Sequence, residues 1–198
     1  QGEDAAIEGG EHGRFFHRGR DWHGDPHHAN KPAPTGRVAS RHDWPYAEMQ
    51  MAKILILVGT ESGNAQMVAD ALKPVLQAGG HAVDVSDRAE TPADLERHDT
   101  FLVVCSTHGS GDIPTNILPL AESLDRDKPD LSAARYGVIA LGDMTYQDTF
   151  CGGGKQLDRA FEACGARKIG DRLEIDASVQ PLPDEEALGW IESWKTLV

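Results

Sequence analysis

The stretch Lys53-Ile54-Leu55-Ile56-Leu57-Val58-Gly59-Thr60-Glu61-Ser62-Gly63-Asn64-Ala65 decides the fold. Residues 54–58 form an unbroken apolar run, as expected of a strand buried on both faces. A Gly- and hydroxyl-rich turn follows, and Met67, Val68, Ala71, Leu72, Val75 and Leu76 then stripe one face of a helix. A tight turn onto a helix start presents free backbone N–H groups and the positive end of the dipole to an anion. Thr60, Ser62 and Asn64 add side-chain donors, so residues 60–65 are a candidate phosphate site. An ordinary strand-to-helix turn capped by Ser62 or Asn64 accounts for the same residues.

Outward from this junction, strand and helix patterns alternate. Pro74 lies inside the first helix, predicting a kink or early end, and Gly79-Gly80 stops it. Residues 81–85 alternate like a half-exposed edge strand. The runs 101–105 and 136–141 read as fully buried strands, and 172–176 alternates as the last one. Helical stripes fall at Ile117, Leu120, Ala121 and Leu124, at Leu157, Ala160, Phe161 and Cys164, and at Leu188, Ile191 and Trp194. Five strands alternating with helices predict a doubly wound parallel α/β sheet of order 2-1-3-4-5. Ligands bind such sheets outside the carboxyl ends of the strands, where the order reverses.

The net charge of −13 makes nucleic acid and anionic membranes poor partners and a basic protein a better one. Cys105, Cys151 and Cys164 lack CxxC spacing, which points to a reducing compartment rather than to disulfides or zinc. No apolar segment approaches the roughly 20 residues of a membrane span, and no signal peptide is evident, so a cytoplasmic location is expected. Residues 1–50 hold six of the nine histidines and little aliphatic periodicity. They read as a disordered or non-native extension ahead of a domain at 51–198. Their irregular histidine spacing is a poor metal-ligand pattern.

Three loops carry the chemistry. The first, 59–65, has no Lys or Arg and lacks both GxxxxGK[ST] and GxGxxG, which removes nucleoside triphosphate and dinucleotide sites of those types. The second is Ser106-Thr107-His108-Gly109-Ser110-Gly111-Asp112, whose small residues allow close approach to a planar ligand. Asp112 with Pro114 also reads as a helix start. The third runs from Gly142 and Asp143 through Tyr146, Asp148, Thr149, Phe150 and Cys151 to Gly154. Tyr146 is placed to stack on an aromatic ligand. Cys151 opens the next helix, where the dipole would lower a thiol pKa, although packing is the simpler role.

Taken together, these loops resemble those of the flavodoxin-like family. Thr60 to Ala65 is similar to the phosphate loop of the FMN domains of sulfite and cytochrome P450 reductases. Ser106 to Asp112 and Leu141-Gly142-Asp143-Met144-Thr145-Tyr146 resemble their two isoalloxazine loops. The run Ser106 to Pro114, with Lys128 to Ala133 and Asp148 to Gly152, looks most like the small MioC-type flavodoxins. The resemblance implies that residues 60–65 hold the FMN phosphate, 106–111 line one ring face and Tyr146 stacks on the other, with Leu141, Gly142, Asp143, Asp148, Thr149, Phe150 and Cys151 also binding the cofactor. Relatives often carry Trp or Tyr where His108 stands. Gly109 matches the glycine whose peptide carbonyl turns towards flavin N5 on reduction.

The function so implied is one-electron transfer by FMN, between a basic NAD(P)H-dependent flavodoxin reductase and a downstream redox enzyme. Biotin synthase is the acceptor implied by the MioC-type resemblance. No separate enzymatic activity is expected. The alternatives are an FMN-dependent NAD(P)H or quinone reductase and a piece of a diflavin reductase. A receiver-type signalling domain shares the strand order but needs acids where Gly59-Thr60 and Cys105-Ser106 stand.

Overall fold

The structure, a computed structural model, describes residues 51–198; the extension expected at 1–50 lies outside them. Strands β1 (Lys53–Gly59), β2 (Ala82–Ser86), β3 (Thr100–Cys105), β4 (Arg135–Gly142), β5 (Arg167–Lys168) and β6 (Leu173–Asp176) alternate with four helices. These are α1 (Asn64–Ala78), α2 (Leu118–Asp127), α3 (Gly152–Ala163) and α4 (Pro183–Trp194). All strand pairs are parallel, and the order is β2-β1-β3-β4-β5, with β6 also on β4.

The order matches the sequence reading, with one refinement. The fifth position is filled by two short strands in line: Arg135 and Tyr136 pair Arg167 and Lys168, and Ile139 to Gly142 pair Leu173 to Asp176. The intervening residues leave the ladder, and Arg172 leaves with them. Its guanidinium reaches Asp158 on α3 and Glu174 on β6. Asp158 is buried and also accepts from Tyr136 Oη at 2.8 Å and Lys168 Nζ at 3.0 Å. Burial alone would raise its pKa, but these donors outweigh that and hold the carboxyl below its ordinary range. The network fastens the interrupted strand to α3.

The apolar runs sort by alternate residues, as two covered faces require. Leu55, Leu57, Phe101, Val103, Tyr136 and Val138 pack with Leu120, Leu124, Leu157 and Phe161 of α2 and α3. Ile54, Ile56, Val58, Leu102, Val104 and Ile139 pack with Val68, Leu72, Leu76, Ile191 and Trp194 of α1 and α4. Half-exposed β2 is an edge strand, as its alternation predicts. Pro74 does not end α1, which continues to Ala78 before Gly79 caps it. The apolar stripe at Leu72 and Leu76 stays buried across the proline, and that packing outweighs one missing backbone bond.

Candidate functional site

The carboxyl ends of β1, β3 and β4 lie side by side, and the loops that leave them surround a crevice of about 650 Å³. That size suits a small-molecule ligand. Its walls include Glu61, Ser62, Asn64, Ser106, Thr107, His108, Gly109, Leu141, Gly142, Asp143, Tyr146 and Thr149. All three loops singled out in the sequence therefore meet at one place.

At one end the crevice meets the start of α1. The residue before the helix is Gly63, left-handed at φ 89°, and no side chain caps the first turn. The expected Ser62 or Asn64 cap is absent because Thr60 takes the local role: its Oγ1 accepts the Gly63 N–H at 2.9 Å. The first turn also contains no acid. Such a turn keeps backbone donors available to an anion. Thr60, Gly63 and Ala65 shape the turn without lining the crevice, and Ala65 is fully buried. Glu61 lines the crevice, but its carboxylate is engaged. Its Oε1 accepts both the N–H of Thr115 at 2.7 Å and its hydroxyl at 2.8 Å, and the N–H bond first, then the hydroxyl, lower its pKa.

Ser106 to Gly109 form the next wall. The loop closes on itself where His108 and Asp112 exchange backbone bonds of 2.9 and 2.7 Å. Ser110 and Gly111 fall behind this bridge and outside the lining. Asp112 does not start a helix: Oδ2 accepts the Ser110 N–H, and α2 begins only at Leu118. Gly109 has φ 52°, and a Cβ there would stand 2.8 Å from Asp112 Oδ2. Alanine at 109 therefore disturbs the loop as well as any ligand.

The third loop is a 3-10 turn over Met144–Thr149 with a break at Tyr146, whose side chain is left 69% exposed on the crevice lip. Asp143 Oδ1 accepts the Thr145 N–H at 2.8 Å and starts the turn. Asp148, Phe150 and Cys151 do not reach the crevice. Phe150 is buried, with Lys155 Nζ 2.9 Å from its carbonyl oxygen and 5.1 Å from its ring centre. Cys151 is fully buried and donates to the Ala140 carbonyl at 3.2 Å. Burial pushes its thiol up to about 12, against the lowering expected from the helix start. The second and third loops come this close because α3 opens on glycines: a Cβ at 153 would lie 2.5 Å from the Ser106 carbonyl oxygen.

A fourth wall was missed in the sequence. Ile175 in β6, Ala177, Gln180 and Pro181 after it, and Pro183 at the start of α4 line the crevice, as does Met67. Asp176 in this segment accepts the Met144 N–H at 2.9 Å and so anchors the Tyr146 turn. Its position at the carboxyl end of the last strand was the available signal. The lining carries Glu61 and Asp143 but no Lys or Arg. Among the described residues no cluster of three or more His, Cys, Asp or Glu could hold a metal ion, and no helix is long and apolar enough to cross a membrane.

An uncapped helix start joined to a slot with an exposed tyrosine fits a phosphate that carries a flat ring, as FMN does. The comparisons agree. The Flavodoxin family profile matches residues 56–190. The chain is 42% identical over 149 residues to Flavodoxin YqcA of Escherichia coli, covering 75% of this chain and 99% of that protein. It is 37% identical over 148 residues to Protein MioC of the same organism, covering 75% and 99%. The solved structure of a cysteine-to-alanine mutant of flavodoxin from Pseudomonas aeruginosa superposes with a TM-score of 0.69 at 35% identity, covering 73% of this chain and 97% of that one. The chain therefore belongs to the flavodoxin family, whose members are FMN-binding electron carriers rather than enzymes.

Proposed function

We propose that this flavodoxin takes electrons from a basic NAD(P)H-dependent reductase and delivers them singly to a downstream redox enzyme. Bound FMN supplies the redox chemistry, accepting and releasing one electron at a time. The first turn of α1 takes the phosphate through its backbone N–H groups, with Ser62 and Asn64 beside it. Ser106 to Gly109 lie along one ring face, and Tyr146 covers the other. His108, an exposed side chain in place of a larger aromatic, leaves that face open to a partner.

The observation that carries this reading is the crevice itself, with uncapped helical donors at one end and a largely exposed tyrosine at the other. A lining with two carboxylates and no Lys or Arg disfavours the accumulation of negative charge on the ring, which favours onward transfer. The overall charge of −13 steers a basic partner and makes the encounter rate fall with added salt. Biotin synthase as acceptor follows from the MioC-type likeness within this proposal, and a cytoplasmic location from the sequence features given above.

The test is to reconstitute the protein with FMN and add NADPH, first alone and then with a flavodoxin reductase. The carrier reading expects bleaching only after the reductase is added, at a rate that drops as ionic strength rises. Rapid bleaching by NADPH alone would make the protein a reductase in its own right. Failure to take up FMN would remove the site assignment.

A further inference from the structure

We infer that Glu61 and Asn116 are positioning residues that couple the phosphate turn to the ring-side loop, so that filling one half of the crevice prepares the other. The inference rests on the FMN site proposed above.

A carboxylate inside a phosphate turn is at first sight a poor choice, because it repels the group the turn should hold. The geometry gives it another task. Glu61 Oε1 accepts the N–H of Thr115 at 2.7 Å and its hydroxyl at 2.8 Å, across 54 residues of sequence. These are charge-assisted bonds, the stronger kind, and both engage one carboxylate oxygen. Next to Thr115, both polar atoms of Asn116 are engaged. Oδ1 accepts the Thr60 N–H at 2.9 Å, while Nδ2 donates to the Val58 carbonyl at 2.8 Å and the Asp87 carbonyl at 3.0 Å. The end of β1, the first residues of the phosphate turn and the segment after β2 are thus held by two adjacent side chains.

Thr115 and Asn116 are themselves firmly joined to the ring-side loop. Only Ile113 and Pro114, both buried, separate them from Asp112, and Asp112 closes the loop through its backbone exchange with His108. Proline fixes the backbone between them. A shift of the phosphate turn therefore moves Thr115 and, through two packed residues, the wall from Ser106 to Gly109. The sequence pattern hid this link, since Asp112 with Pro114 read as a helix start.

The experiment measures dissociation constants of FMN and of riboflavin, which lacks the phosphate, for the full chain and for Glu61→Gln, Glu61→Ala, Thr115→Val and Asn116→Ala. Coupling predicts that Glu61→Ala and Asn116→Ala weaken FMN by about tenfold or more. It also predicts that they weaken riboflavin severalfold and alter the visible spectrum of bound FMN, although neither side chain is on the ring side. Glu61→Gln, which keeps the acceptor, should recover most of the loss. Glu61→Ala combined with Thr115→Val should cost less than the two singles added together, because the hydroxyl bond that Thr115→Val removes is already lost in Glu61→Ala. The inference is overturned if Glu61→Ala tightens FMN, as simple repulsion requires. It is also overturned if the spectrum and riboflavin affinity stay at the unsubstituted values while FMN affinity falls. If the unsubstituted protein itself takes up no FMN, the site assignment fails instead, so the two failures are distinct.

Discussion

The two ends of the crevice are built by opposite means. At the phosphate turn two side chains are engaged within the protein: Thr60 with Gly63, and Glu61 with Thr115. The anchor proposed for the phosphate is backbone N–H, fixed by bonds from remote parts of the chain. At the Tyr146 turn the backbone is held underneath, by Asp143 and by Asp176 on the neighbouring strand, and the exposed Tyr146 side chain lines the crevice. A dianion rewards fixed dipoles, which cost no reorganisation when it arrives. A ring whose edge must stay open to a partner is better met by one exposed aromatic on the lip. The two ends should therefore respond to different substitutions.

The largest effect is expected at the backbone end. Asn64 is the first residue of α1, exposed and on the crevice wall, in a first turn without any acid. Asn64→Asp places a carboxylate beside the phosphate and should weaken FMN by about 2 kcal/mol, or about 30-fold. Riboflavin should be nearly unaffected. The apo protein should become slightly more stable, by about 0.5 kcal/mol, because an acid suits a helix start. Titration with both flavins and thermal melts of the apo protein check the two signs; a matching loss of riboflavin affinity would contradict a phosphate at this end.

Tyr146→Ala is the counterpart at the other end. The tyrosine is largely exposed, so apo stability should hardly change. Loss of stacking should cost about 1.5 kcal/mol, roughly tenfold, and equally for FMN and riboflavin. Flavin fluorescence quenching, read in the same titrations, should also diminish.

This contrast explains what the sequence made legible. The strands were legible because covered faces demand apolar runs, and 54–58, 101–105 and 136–141 have no other good use. The interrupted fifth strand was not, because β5 is two exposed residues, Arg167 and Lys168, that pair only through backbone. At the site, Gly109 and Tyr146 stood out by residue type. Phe150 and Cys151 lay in the same run of sequence but turn inward, and only the fold separates the residues that face the crevice from those that support it. The Glu61 and Asn116 links span 54 and 56 residues, so no local pattern could report them. The wall that follows β6 is mostly apolar and proline-rich, with Gln180 its one polar lining residue.

The smallest effect concerns acid, and it bears on both ends together. Glu61 holds the phosphate side and Asp176 the ring side, and each is lowered, mainly by the backbone N–H it accepts, from Thr115 and Met144 respectively. A carboxylate lowered in the folded state contributes its link fully above its unfolded pKa, about 4, and loses it as pH falls through the folded value. The phosphate of free FMN changes charge higher, near pH 6, and binding that prefers the dianion weakens below that point. FMN affinity should therefore decline in two stages, one below about pH 6 and one below about pH 4. Riboflavin should show only the second. Glu61→Gln should flatten the second stage in part, because the amide keeps its acceptor without titrating, while the Asp176 share remains. Affinity measured from pH 7 to 3 with both flavins decides the matter. A riboflavin curve with the upper stage would mean that a protein group, and not the phosphate, titrates there, and the division between a backbone end and a side-chain end would have to be redrawn.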